Sequence, residues 1–148
     1  MDPEETTAFL REQRKVQVAT IGADGAPHLT TLFYVLDDGG RIAFWTYGSS
    51  QKVVNLRRDP RITALVEDGE GYDELRGVSI SGRAVLIEEH DDVRALGLRV
   101  ARRMVGDQHD ELDLGKAGHD VVDRQARKRV GIVVHPEKVA SWDHHKMG

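Results

Sequence analysis

The run Trp45-Thr46-Tyr47-Gly48-Ser49-Ser50-Gln51-Lys52 gathers the residue types that hold an anion within eight positions. A strand end turns at Gly48 into a helix start, and the first turn of a helix carries N–H groups without intrahelical acceptors at the positive end of its dipole. The hydroxyls of Thr46, Ser49 and Ser50 and the Lys52 ammonium would add donors to a phosphate resting there. The plainer alternative stays open: Ser50 only caps the helix, as serine commonly does, and Lys52 faces water. Arg57, Arg58 and Arg61 extend the positive charge. They are either a solvated face or partners for the phosphate or an acidic tail of the same ligand, and their separation argues against all three meeting one phosphate.

Other chemistries find little footing. The chain has no cysteine, which excludes thiolate catalysis, disulfides and cysteine-held metal centres. His28, His90, His109, His119 and His135 are dispersed and His144-His145 are adjacent, so no metal site is expected. The acidic stretch from Glu67 to Glu74 reads as a solubilised loop, and no serine sits in a nucleophile elbow with a recognisable triad. Basic runs at residues 99–103 and 124–129 have few aromatics between them and many carboxylates around them. With 21 basic against 25 acidic residues and a net charge of -4, neither nucleic acid nor an anionic membrane is an expected partner. His28, just after Pro27, is a candidate ligand donor against the plainer reading of a rim histidine. Trp142, followed by Asp143-His144-His145-Lys146, suits a wall over a planar ligand, an interface or a lid equally.

The elements that must position these residues are mostly strands. Residues 3–14 read as a short helix with Thr6 or Thr7 as its cap. From Lys15 the period is two, ending in the turn Gly22-Ala23-Asp24-Gly25. Residues 28–36 alternate imperfectly and complete an antiparallel hairpin, and residues 42–46 make a third strand. Val53, Val54 and Leu56 mark a two-turn helix stopped by Asp59-Pro60. Residues 61–67 and 75–87 are strands, the latter long and relieved by Gly77 and Gly82. Residues 90–105 form the longest helix, residues 106–120 are polar and ambiguous, and residues 121–128 add a helical turn or two. The last strands are 130–134 and, after Pro136, 139–142. Six or so antiparallel strands with two or three inserted helices do not suit a doubly wound parallel sheet. A small closed or partly closed barrel, which removes exposed edges, is the expected architecture.

At 148 residues, with 39% hydrophobic and 31% charged side chains and no internal repeat, the chain is expected to be one domain, residues 1–148. The first fifteen residues contain no signal-like or membrane-length apolar run, so a cytoplasmic location is expected.

Taken together, Val18-Ala19-Thr20-Ile21 with Gly25-Ala26-Pro27-His28, the run 45–52, Asn55-Leu56-Arg57-Arg58-Asp59-Pro60-Arg61 and residues 78–84 with Gly82 resemble the split-barrel flavin or deazaflavin oxidoreductases, the pyridoxamine-phosphate-oxidase-like proteins. The resemblance spans most of residues 10–146. It implies a mainly β, antiparallel split barrel with inserted helices that works as a homodimer, with a cofactor at the subunit interface. Its phosphate would lie near Thr46, Ser50, Gln51 and Lys52, and its ring near the second and third strands. His28, Thr30 and Leu32 would face that ring, Arg57 and Arg61 would accompany an acidic tail, and Tyr34 and Trp142 would shape the substrate pocket. The sequence departs from true pyridoxamine-phosphate oxidases at Leu29-Thr30-Thr31-Leu32-Phe33-Tyr34-Val35, where those carry an arginine and a lysine, and at residues 141–146. The pattern looks more like the branch using the deazaflavin coenzyme F420, with FMN as the alternative. It implies hydride transfer to a conjugated or carbonyl-containing small molecule without a catalytic side chain, or a carrier that holds a flavin, deazaflavin or haem without turnover.

Overall fold

A computed structural model describes residues 1–105 and 115–147, so His109 and the first part of the ambiguous segment, residues 106–114, lie outside the described residues. The chain begins with helix α1 (Pro3–Glu12). Its cap is Asp2 rather than Thr6 or Thr7. The Asp2 carboxylate accepts from the Glu5 N–H at 2.8 Å and the Glu5 carboxylate accepts from the Asp2 N–H at 3.1 Å, which satisfies two helix-start donors reciprocally. The two threonine hydroxyls donate instead to the carbonyls four residues back.

Strands β1 (Lys15–Ile21) and β2 (Pro27–Phe33) form the expected hairpin, with Val18 opposite Thr30 and Thr20 opposite His28. The turn closes at Gly25, whose φ of 86° lies where a side chain is disfavoured. The chain continues through Tyr34 into β3 (Val35–Leu36), then β4 (Ile42–Tyr47), α2 (Gln51–Arg58), β5 (Arg61–Asp68) and β6 (Arg76–Ile87). It ends with α3 (His90–Met104), α4 (Gly115–Ala126) and β7 (Arg129–Asp143). The seven strands form one antiparallel sheet in the order β2-β1-β5-β6-β7-β4-β3. Because β2 and β3 are the two edges of that sheet and only Tyr34 separates them, the chain itself joins edge to edge and curls the sheet into a barrel. The expected single strand over residues 28–36 is thus two strands serving opposite edges.

Two more differences have local causes. Residues 130–134 and 139–142 belong to one strand, because a bulge absorbs Pro136: Ser81 pairs with Lys138 and Gly82 with Pro136, leaving Glu137 extra. Gly82 makes this register feasible, since a Cβ there would stand 2.0 Å from the His135 carbonyl oxygen. The helix expected at residues 121–128 starts earlier, at Gly115.

The barrel interior is filled by one face of each strand, including Val16, Val18, Phe44, Ile62, Ala64, Val66, Val78, Ile132 and Val134. Phe9 and Leu10 of α1 and Val53 and Leu56 of α2 complete that core. Outside the barrel α3 lays Leu96 and Val100 on Val35, Ala43 and Val133. It comes close because position 97 is glycine: a Cβ there would meet the Trp45 ring at 2.2 Å. No helix of the described residues is long and apolar enough to cross a membrane.

Candidate functional site

The strand pairings leave one seam in the wall. β2 pairs only with β1, and β3 pairs with β4 through Val35–Ala43 and Leu36–Ile42 alone. Between β2 and residues 44–47 of β4 no ladder forms, and α2 begins where β4 ends. Of the expected site residues, His28, Thr30 and Leu32 lie along the inward face of β2, opposite Thr20, Val18 and Val16, while Thr46, Ser50, Gln51 and Lys52 lie at the β4–α2 turn.

The β4–α2 turn brings together several of the donors expected to hold an anion. Ser50 has the extended backbone of a cap, but its hydroxyl takes no first-turn N–H, and the first intrahelical bond is from Val54 N–H to the Ser50 carbonyl at 3.2 Å. The first-turn donors therefore stay available. Lys52 is only 9% exposed. Its ammonium donates to the Thr46 hydroxyl at 3.2 Å, and that hydroxyl in turn donates to Ser50 Oγ at 3.5 Å. No carboxylate among the described residues pairs with it. Burial, and then the positive charge of Arg129, hold the ammonium below the ordinary lysine range.

Across the seam, His28 Nδ1 and Thr30 Oγ1 are buried and have no hydrogen-bond partner. A buried polar atom left unbonded costs about 1–3 kcal/mol, so a group able to hydrogen-bond to either would be favoured there. A buried uncompensated cation at a helix start and two orphaned polar atoms along an open seam fit a planar group bearing a phosphate. Gln51 has another duty as well. Its side-chain amide donates to Asn55 Oδ1 at 2.8 Å, and Asn55, fully buried, donates to the Thr20 hydroxyl at 3.0 Å. Arg58 donates to the Ile21 carbonyl at 2.6 Å and to Asn55 Oδ1 at 3.2 Å. This network ties α2 to β1 and so fixes where Lys52 stands.

The structure does not gather every expected residue. Arg57 is paired with Glu88 at 2.5 Å and Arg61 with Asp59 at 2.7 Å, both at the surface. Tyr34, expected at the substrate pocket, is fully buried in the barrel, and its hydroxyl donates to the Leu10 carbonyl at 2.6 Å. It fastens α1 to the barrel and presents no face to a ligand. Trp142 lies over Gly77, where a Cβ would stand 2.1 Å from its ring, at the barrel end opposite Lys52 within the same chain. Sequence reasoning overlooked Asn55 and Arg129. The first is an ordinary helix residue until the α2–β1 contact is known. The second sat inside a basic run, and only the register that sets Tyr47 opposite Arg129 reveals it.

A single antiparallel sheet whose two edge strands are consecutive in the chain, with only Tyr34 between them, defines a split barrel. Residues 2–143 match the family described as Pyridoxamine 5'-phosphate oxidase, and the chain belongs to that family. A biliverdin reductase dependent on reduced F420, from Mycobacterium tuberculosis, is 34% identical over 101 residues, which cover 68% of this chain and 70% of that protein. A pyridoxine/pyridoxamine 5'-phosphate oxidase from Cupriavidus pinatubonensis is 25% identical over 146 residues, 97% of this chain and 67% of that protein. A conserved hypothetical protein from Mycobacterium tuberculosis, solved by crystallography, superposes with a TM-score of 0.89 at 41% identity, covering 100% of this chain and 88% of its own.

Proposed function

We propose that this protein is an oxidoreductase that uses the reduced deazaflavin coenzyme F420 to reduce a conjugated or carbonyl-containing small molecule. One observation carries the reading: Lys52, buried and without a carboxylate partner among the described residues, stands at the open first turn of α2 beside the seam. A cation so placed is unfavourable until an anion arrives, so the chain gains most from a ligand that brings a phosphoryl group to that point. Lys52 and the first-turn N–H groups hold that group, and Thr46 orients the ammonium. His28 and Thr30 gain partners along the ring edge, and Leu32 gives it an apolar contact. When bound, the reduced coenzyme supplies a hydride; the protein supplies position and exclusion of water. The 34% identical relative supports the deazaflavin over FMN.

The reading includes a second copy of the chain. The outward face of the sheet carries Leu29, 67% exposed, in one row with Ala19, Thr63 and Ser81. Beside it runs the uncharged row Thr31, Gln17, Leu65, Ser79 and Ala140. A two-fold partner on that face would cover the exposed leucine and bring a Trp142 from the other chain toward the seam. Side-by-side titration of the folded protein with oxidised and reduced F420 and with FMN tests the assignment. Tighter binding of the deazaflavin is expected. Binding of FMN alone would replace the cofactor, and binding of neither would end the reading.

A further inference from the structure

The strand register sets Arg129 directly opposite Tyr47, at the strand ends from which the chain turns into α2. Its guanidinium lies 4.1 Å from the centroid of the Tyr47 ring and 4.9 Å from that of Trp45, and its Nε donates to Gln125 Oε1 at 3.4 Å. The shelf beneath it is rigid, because the Trp45 ring is wedged against Gly97 of α3. A cation over an aromatic face keeps its charge while losing rotational freedom, so little further ordering is needed when an anion docks.

Two cations, Lys52 and Arg129, are thus held near one strand end, and neither has a carboxylate partner among the described residues. Like charges at short range in a partly buried site repel, and a single singly charged phosphodiester would leave one of them uncompensated. The arginines on the other side of α2 are in the opposite condition, since Arg57 and Arg61 already hold Glu88 and Asp59. Recruiting either would first break an existing pair. Tyr47 is 47% exposed, so the surface beyond Arg129 is open to a ligand that extends past the seat.

We propose that Arg129 is the second cation of the seat and receives the carboxylate-bearing chain that follows the coenzyme's phosphoryl group, so that the anionic tail leaves over Tyr47 and not along Arg57 and Arg61. This rests on the reading that Lys52 holds the phosphoryl group. Arg129 acts here as a binding and specificity residue: it touches the tail, far from the reacting ring.

The test separates tail from ring by titrating three deazaflavins: the chromophore nucleoside without phosphate, the coenzyme with its phosphodiester but no glutamates, and the form with several γ-linked glutamates. Each is titrated by fluorescence into the full-length protein and into Arg129→Gln, Arg129→Lys and Arg57→Gln, with far-UV circular dichroism and melting temperature recorded alongside. In the unaltered protein affinity rises along the series. Arg129→Gln leaves nucleoside binding unchanged and lowers affinity for the glutamylated form about tenfold or more, the range of one charge-assisted contact. Arg129→Lys restores part of the loss, and the restored part shrinks with added salt. Arg57→Gln changes no step of the series more than about twofold, within the range of an exposed pair. If Arg129→Gln keeps the full gain from the glutamates while Arg57→Gln loses it, the tail lies on the other side of α2 and the proposal fails with the coenzyme assignment intact. If no deazaflavin binds the unaltered protein, the assignment fails and takes this proposal with it.

Discussion

A lysine that is 91% covered and faces no carboxylate among the described residues works against folding and for binding, and the two effects can be measured separately. Lys52→Met is expected to weaken coenzyme binding by roughly 10- to 100-fold, the worth of a charge-assisted contact. It should leave the ligand-free melting temperature unchanged or higher, because the desolvated charge is gone. The pH dependence follows from the sign of the shift. The Lys52 ammonium is held below 10.5, so in the window under that value the unfolded chain binds the proton more readily than the folded one. Ligand-free stability therefore gains a component that rises with pH up to about the ordinary lysine value, and denaturant titrations of Lys52→Met should lack it. Tyr34 makes the opposite case. Tyr34→Phe leaves the Leu10 carbonyl without its 2.6 Å donor and should cost about 1–3 kcal/mol in urea unfolding, with coenzyme affinity unchanged. A weakened affinity with normal stability would return Tyr34 to the binding site. Much of this residue-level picture was legible in the run 45–52, where hydroxyls, a helix start and a lysine coincide. What was not legible were partners distant in sequence: Glu88 taking up Arg57, Leu10 taking up Tyr34, and Arg129 approaching Lys52.

Elements are held in place here by glycines and by the ends of helices. Gly82 and Gly97 both sit where a Cβ would collide, but with different neighbours: the His135 backbone in the first case and the Trp45 ring in the second. A side chain can shift and a paired strand cannot. Gly97→Ala should therefore cost about 1–3 kcal/mol and loosen α3, while Gly82→Ala costs more and disturbs the β6–β7 register, as thermal melting and amide exchange would show. Equal costs would mean that the bulge at Pro136 adapts. The C-terminal turn at residues 144–147 is fastened to α1 by Lys146, which donates to Glu5 at 2.8 Å. That bond, with the Asp2 backbone, holds the Glu5 carboxyl down at about 2 from 4.5. A depressed carboxyl contributes above 4.5 and loses its contribution as pH falls toward 2, so the turn should fray across that window, followed by amide exchange. Lys146→Ala should loosen it already at neutral pH and shrink the acid transition to the part that Asp2 sustains. The sequence marked nearly every element by its period. It misjudged the continuity of β7, because Pro136 reads as a stop when the bulge that accommodates it depends on Gly82, far earlier in the chain. The cap of α1 was misplaced because Asp2 and Glu5 act only as a pair.

At the scale of the molecule, barrel closure was inferable from antiparallel strands and interior glycines, but the seam was not, since it arises from pairs that fail to form. The outward face with Leu29 is the feature a second copy would cover. Leu29→Asp should turn a dimer into a monomer in sedimentation while melting stays close to normal, because that side chain is two-thirds exposed in the single chain. An unaffected dimer would move the partner to another face. Tyr34, finally, is the vertex at which the two margins of the seam meet: its N–H is tied to the Arg14 carbonyl at 3.0 Å and its hydroxyl to Leu10. The two edge strands consequently share one fixed corner, and a guest entering between them would meet that corner as its stop.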